Sequence, residues 1–264
     1  LAAQPAQVAA AIILLDEGAT VPFIARYRKE ATGGLDDIQL RLLEERLTYL
    51  RDLEDRRAAI TASIEAQGKM TPALLASINQ AEDKTRLEDL YLPFKKKRRT
   101  KAQIALEAGL EPLADALLAN PMLQPEEEAG KYLKPAFTTD QGDNPGVEDA
   151  KAALEGARQI LMERFAEDAT LLQWLREYLL AHGVVESKIV KDKEEAGAKF
   201  SDYFDSSETI NTIPSHRALA MLRGRREEIL HVGLRLDSEA EKPKSDAPLN
   251  PCEAHIATRF RIKN

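Results

Sequence analysis

The sequence has one cysteine, Cys252, in 264 residues. A single thiol forms no internal disulfide and no structural zinc site, so a reducing compartment, the cytoplasm, is the expected location. No His/Cys pattern surrounds it, and it reads as incidental rather than nucleophilic. No apolar run approaches the length that spans a bilayer, so no membrane partner is expected. The opening stretch LAAQPAQVAAAIILLDEG is apolar but has no basic flank and no cleavage signature. It continues into an ordinary helical pattern and does not read as a signal peptide. An initiator Met is missing too, and we expect the chain to begin inside a longer reading frame.

Catalytic constellations are also lacking. There is no Gly-rich phosphate loop after a strand, no paired metal-ligand His and no nucleophile elbow. His182, His216, His231 and His255 are scattered and read as surface or helix-end residues. The expectation is therefore a protein that is not an enzyme, with no metal, no cofactor and no small-molecule substrate.

What is present favours helix. Aromatic residues make up only 5%, while Leu, Ala, Glu, Lys and Arg are abundant. Charged residues at 31% and hydrophobic ones at 44% belong to a globular chain rather than a disordered one. The net charge of −7 excludes bulk polyanion binding. Contact with nucleic acid must come from a local basic patch.

Helix signals recur along the chain. Val8 to Glu17 is stopped by Gly18. Thr20 and Pro22 open a short helix that Thr32-Gly33-Gly34 breaks. One long helix is predicted from Asp36 to Gln67, with Leu43, Leu47, Leu50, Leu53, Ile60 and Ile64 as its single apolar stripe. Such a helix braces shorter ones. Thr71-Pro72, Lys84 to Tyr91, Thr100 to Ala108 and Glu111 to Leu118 read as further helices, followed by Pro125 to Leu133. Thr138 to Gly146 reads as a loop. Glu148 to Ala166 and Ala169 to Ala181 are strong helices, the second capped by Gly183. Val184 to Val190 is ambiguous and could be extended, and Lys191 to Phe204 is expected to be helical from Glu194. Pro214-Ser215 opens a helix to Arg226, and Ile229 to Leu236 is the best strand candidate. Ser238 to Pro251 is polar with three prolines and reads as a linker before a final helix from Glu253 to Phe260.

The fold class expected is mainly α with little β. We expect three regions: a helical, helix-turn-helix-like part over residues 1–120, a central helical part over 121–240, and a linker with the start of a further segment over 241–264.

The most informative local feature is Lys95-Lys96-Lys97-Arg98-Arg99-Thr100-Lys101, six cations in seven residues. Opposed to a phosphate backbone they would gain counterion-release free energy with little sequence information. A solvated loop, or a latch onto acidic helices of the same protein, is the alternative, and both readings stay open. The segment TKAQIALEAGLEPLADAL has a helix–Gly–helix layout that loosely resembles a helix-turn-helix. Its second helix offers Glu111 and Asp115 where base readout needs Arg, Asn or Gln. In a third candidate, Phe23-Ile24-Ala25-Arg26-Tyr27-Arg28-Lys29, cations interleave with aromatics that could stack on bases. The apolar spacing favours a different placement, with Phe23, Ile24 and Tyr27 facing the core while Arg26, Arg28 and Lys29 snorkel outward.

Four stretches carry a family resemblance: VPFIARYRKEATGGLD at Val21 to Asp36, LEDLYLPFKKKRRTKA at Leu87 to Ala102, EAGAKFSDYFD at Glu195 to Asp205, and IPSHRALAMLRGR at Ile213 to Arg225. In this order they resemble the Tex family of bacterial transcription accessory proteins. The resemblance implies a cytoplasmic, mostly helical scaffold tied to transcription and RNA metabolism, with RNA or DNA as sequence-nonspecific partners and the transcription machinery as a further one. It also implies that RNase-H-like, helix-hairpin-helix and OB-fold modules follow in a full-length member, beyond this chain. Two functional expectations result. One is a scaffold adding a basic nucleic-acid contact. The other is a protein-interaction or bracing module, with nucleic acid held elsewhere.

Overall fold

Polar caps start most of the helices. The computed structural model describes residues 3–236 and 249–262. The chain divides into two units, Leu1–Phe94 and Lys95–Asn264.

The first unit contains α1 (Pro5–Asp16), α2 (Val21–Tyr27), α3 (Asp37–Ala66), α4 (Pro72–Asn79) and α5 (Lys84–Tyr91), closed by a 3-10 turn at Leu92–Phe94. The Asp36 carboxylate accepts from Gln39 N at 2.8 Å, and the Gln39 side chain accepts from Asp36 N at 3.1 Å. This reciprocal box satisfies two donors that a helix start leaves open. Thr71 and Asp83 cap α4 and α5 through Leu74 N and Arg86 N. The break after α2 is held by Gln7, whose amide donates to Thr32 O at 3.1 Å and Gly33 O at 2.8 Å. Gly33 sits at φ +59, and a Cβ there would strike the Gln7 amide at 2.7 Å.

Helix α3 packs against different partners at its two ends. Leu40 and Leu43 join Ala11, Val21, Ile24 and Leu35 in one core. Further along, Leu53, Ile60 and Ile64 are buried in the half that bonds to α4 and α5. There Arg57 donates to Ile78 O at 3.1 Å and Ala81 O at 2.6 Å, and the Ser63 and Tyr91 hydroxyls meet at 3.1 Å. Each fully buried Leu or Ile contributes about 1.5–3 kcal/mol. Leu50, expected in the stripe, is 41% exposed because it lies between the two groups.

The second unit opens with α6 (Lys101–Glu107), α7 (Glu111–Ala119) and α8 (Pro125–Ala129), the last continued by a 3-10 turn at Gly130–Tyr132. These pack on α9 (Ala150–Ala166) through mostly small residues: Ala102, Ala105, Ala114 and Ala129 face Ala153, Ala157 and Ile160, with Leu113 fully buried. The small side chains allow close approach. A Cβ on Gly156 would overlap Leu110.

Between these helices, residues read as a loop form a hairpin, β1 (Phe137–Thr139) with β2 (Gly142–Asn144). Its strands are three residues each and carry turn-type residues, so no strand pattern marks them. Helix α10 (Ala169–His182) leads directly into β3 (Gly183–Ile189). Gly183 is the C-cap of α10, as expected, and with φ −76, ψ 151 it already has the extended backbone of β3. β3 is the centre of an antiparallel sheet ordered β4-β3-β5, with β4 (Asp205–Thr209) and β5 (Leu230–Leu236). The strand expected at Ile229 to Leu236 is β5, and the ambiguous stretch from Val184 is extended; β4 was not foreseen. The helix expected from Glu194 reduces to a 3-10 segment, Ala198–Tyr203, because Gly197 packs directly on Ile229 and Phe204. Phe200, Ile229 and Leu230 form the small core there, beside α11 (Ser215–Arg226).

Helix α12 (Pro251–Phe260) docks on α9 and α10. His255 stacks flat on Trp174 at 3.7 Å, Phe260 on Phe165 at 3.9 Å, and Arg259 forks onto Asp168 at 2.8 and 2.7 Å. The expected linker falls at residues 238–248 outside the described residues. The architecture is mainly α with small sheets. No helix among the described residues is long and apolar enough to cross a membrane.

Candidate nucleic-acid interface

The basic run leaves the 3-10 turn after α5 and reaches α6 without regular secondary structure over residues 96–100. Its far end is fixed by Thr100, whose hydroxyl accepts from Gln103 N at 3.0 Å and starts α6. Thr100 also donates to Glu163 at 3.3 Å, which ties the segment to α9.

The six cations do not act alike. Lys97 lies between Glu163 of α9, at 3.3 Å, and Glu167, the C-cap residue one turn further on. Arg99 forks onto Glu107 at 3.2 and 2.6 Å, and its remaining nitrogen donates to Asp143 O of the hairpin at 2.9 Å. Glu107 accepts a further bond from buried Asn144 at 3.2 Å, and Asn144 also donates to Ile104 O at 2.8 Å. The Arg99 guanidinium holds the Glu107 carboxyl below the ordinary carboxylate range, with the Asn144 amide helping and desolvation opposing. Charge-assisted forks of this kind fix geometry as well as energy.

Lys97 and Arg99 therefore latch the segment to their own unit. Of the two readings left open for the run, the latch describes the placement of Lys97 and Arg99, which meet carboxylates of α6 and of α9 and its C-terminal cap. Lys95, Lys96 and Arg98 are exposed, and none has an ion-pair partner among the described residues. Lys101, exposed at the start of α6, lies near enough to Glu155 to help lower its pKa to about 2, after the larger effects of Arg158 and Gln159. The helix that follows, α7, spends Glu111 and Asp115 on Arg164, at 3.6 and 2.6 Å.

The first unit holds the other candidates separately. Arg26, Arg28 and Lys29 are exposed with no carboxylate partner among the described residues. Here the expected inward placement of the aromatics is overturned. Only Ile24 and Val21 of α2 are buried, while Phe23 is 42% and Tyr27 58% exposed. A helix of seven residues buries one narrow stripe, and Val21 and Ile24 fill it. The Phe23 and Tyr27 rings lie 5.4 Å apart at 47°, with the Arg28 guanidinium 5.7 Å from the Phe23 centroid.

A groove of about 650 Å³ beside β3, β5 and α11 was not anticipated. Lys188, Lys193, Arg225 and His231 line it together with Glu186 and Glu228. These basic side chains come from stretches more than 30 residues apart and are brought together by the pairing of β3 with β5. Among the described residues no group of three His, Cys, Asp or Glu is placed to hold a metal ion.

Comparison with known proteins adds ancestry to this geometry. Residues 120–264 match the family model described as Tex central region-like, and residues 1–65 match the Tex-like protein N-terminal domain. Protein YhgF of Escherichia coli (strain K12) is 58% identical over 245 residues, 93% of this chain and 31% of that protein. Transcriptional accessory protein Tex of Neisseria gonorrhoeae is 53% identical over 267 residues, all of this chain and 33% of that protein. The human S1 RNA-binding domain-containing protein 1 is 31% identical over 230 residues, 84% of this chain and 22% of its own length. The chain spans about a third of the bacterial relatives it matches.

Proposed function

This chain belongs to the Tex family, and on that premise we propose that it is the N-terminal helical scaffold of a cytoplasmic transcription accessory protein and adds a phosphate-backbone contact to RNA or DNA without catalysing a reaction. The observation that carries the reading is the split within the basic run. Lys97 and Arg99 anchor the segment, and Lys95, Lys96 and Arg98 stand exposed beside the anchors with no ion-pair partner among the described residues. A mere latch would use its cations on internal carboxylates, and these three have none among the described residues. Phosphate contact of this kind positions a nucleic acid without reading its bases. Relatives named for transcriptional accessory function and for an S1 RNA-binding domain support a partner of the same class.

The test is direct binding. Replacing Lys95, Lys96 and Arg98 together with Gln should weaken binding of the chain to RNA and to DNA alike. Unchanged affinity for both would remove the reading.

A second reading has its own support. α3 packs a different helix group on each half, which suits a brace. If bracing is the whole role, the triple substitution leaves nucleic-acid binding untouched, while breaking α3 abolishes recovery of transcription proteins.

A further inference from the structure

We propose that the free edge of β5 and the basic groove beside it dock an acidic, extended segment of a partner protein, which adds a further strand to the three-stranded sheet. The proposal is independent of the nucleic-acid reading above and uses a different surface.

The ladder leaves this edge open. β3 lies between β4 and β5, so β5 ends the sheet on its side. Alternate residues of a central strand bond to opposite neighbours. Ile189 N donates to Phe204 O at 2.9 Å, in line with the β4 register, and Val190 N donates to Ile229 O at 2.9 Å, in line with the β5 register. The even-numbered residues of β3 therefore bond to His231, Gly233 and Arg235. The main-chain N–H and C=O of Val232 and Leu234 point the other way, where neither has a backbone partner among the described residues. An unpaired edge is a template for another strand, and proteins commonly blunt it with Pro or a bulge. β5 has neither, since its seven pairs with β3 run in unbroken register.

Gly233 is an independent sign. A glycine inside a strand weakens it and marks a bulge, a barrel corner or the close approach of a ligand or another backbone. Here the register is unbroken and the sheet is open, the residue needs no left-handed backbone, and a Cβ on it would meet nothing within 4 Å. Gly233 lines the groove of about 650 Å³, so a side chain of an added strand can lie over its bare backbone.

The charge selects the occupant. Lys188 is answered by Glu186 at 3.2 Å. Lys193, Arg225 and His231 are exposed along the groove with no ion-pair partner among the described residues, against a single carboxylate in the same condition, Glu228. Successive strand side chains point to opposite faces, so His231 and Gly233 share the groove face while Leu234, 63% exposed, lies on the other. A segment that alternates acidic and apolar residues answers all three features: the main-chain edge, the cations and Leu234. A second copy of β5 would bring its own His231 and Arg235 against the cations. A phosphate backbone would answer the cations and leave the main-chain edge and Leu234 unused.

The experiment uses the 264-residue chain and three short fluorescein-labelled peptides. One alternates Glu and Val, one alternates Lys and Val, and one is the Glu–Val peptide with its main chain N-methylated. Anisotropy should show the parent chain binding Glu–Val and rejecting Lys–Val. N-methylation should weaken binding roughly fivefold for each main-chain bond lost. Leu234→Pro removes only an outward N–H, which an edge strand tolerates. It should weaken Glu–Val binding by about fivefold or more while circular dichroism shows it folded. K193E/R225E, at two exposed positions, should reverse the preference to Lys–Val. Exchange of the Val232 and Leu234 amides should slow when Glu–Val is bound. A parent chain that binds no peptide overturns the proposal, as does equal affinity for the methylated peptide, an unaffected Leu234→Pro variant or an unreversed K193E/R225E. A parent dimer that Leu234→Pro dissolves, or RNA binding that K193E/R225E abolishes while no peptide binds, gives the surface to those occupants and overturns it too.

Discussion

Replacing cations with Gln in two separate sets turns the geometry of the basic run into a number. Set one removes Lys95, Lys96 and Arg98. Set two removes Lys97 and Arg99. Each cation that neutralises a phosphate contributes about −0.9 to the slope of log affinity against log salt on duplex DNA, and about −0.7 on a single strand. Three exposed cations then give about −2.7 and −2.1. Raising salt from about 50 to about 200 mM would cost these three alone about 40-fold on duplex DNA. Had all six cations reached phosphates, the slope would be about −5.4 and the loss more than a thousandfold. Fluorescence anisotropy titrations over that salt range measure the difference. Set one should flatten the slope by up to about 2.7 units. Set two should change it by less than any single member of set one, because Lys97 is already answered by Glu163 and Glu167, and Arg99 by Glu107. A flattening by set two that equals or exceeds set one would refute the assignment of latch and contact.

Three other outcomes follow from the packing. Gly156→Ala should lower the melting temperature despite Ala's better helix propensity, since the added methyl overlaps Leu110 and meets Ala105 at 3.3 Å; overpacking of this kind costs about 1–3 kcal/mol against a gain of about 1. Glu107→Gln should remove part of the acid sensitivity. The carboxyl's folded pKa lies below its unfolded value, so its contribution is present above the ordinary carboxylate pKa and is lost as pH falls towards the folded one. Urea melts at neutral and acid pH, compared between parent and variant, read this directly. His255→Ala should shift Trp174 emission to the red, because His255 covers the only tryptophan at 3.7 Å.

Helix boundaries were largely legible because their causes are local. Asp36, Thr71 and Thr100 announce starts by the same side-chain bonds that the structure contains. The small sheets were less so. β4 reads DSSET, with no apolar member, and its strand state comes from pairing with β3. The hairpin depends on Arg99 reaching Asp143 O and on Asn144 reaching Ile104 O, contacts across about 40 residues. The same distance hid the fate of the basic run: Lys97 finds its carboxylates on α9 and its C-cap, far along the chain. For α2 the error was one of width. Spacing placed Phe23, Ile24 and Tyr27 together, but the buried stripe of so short a helix has room only for Ile24 and Val21.

Helix α3 has a mechanical implication. Thirty residues at 1.5 Å each make a shaft of about 45 Å. Its near half is gripped by α1 and α2 and its far half by α4 and α5, so a push on either grip is delivered to the other as rotation of one stiff body. Neither small grip holds enough apolar surface to persist alone. Melting one should release the other, and the first ninety or so residues should come apart in a single step.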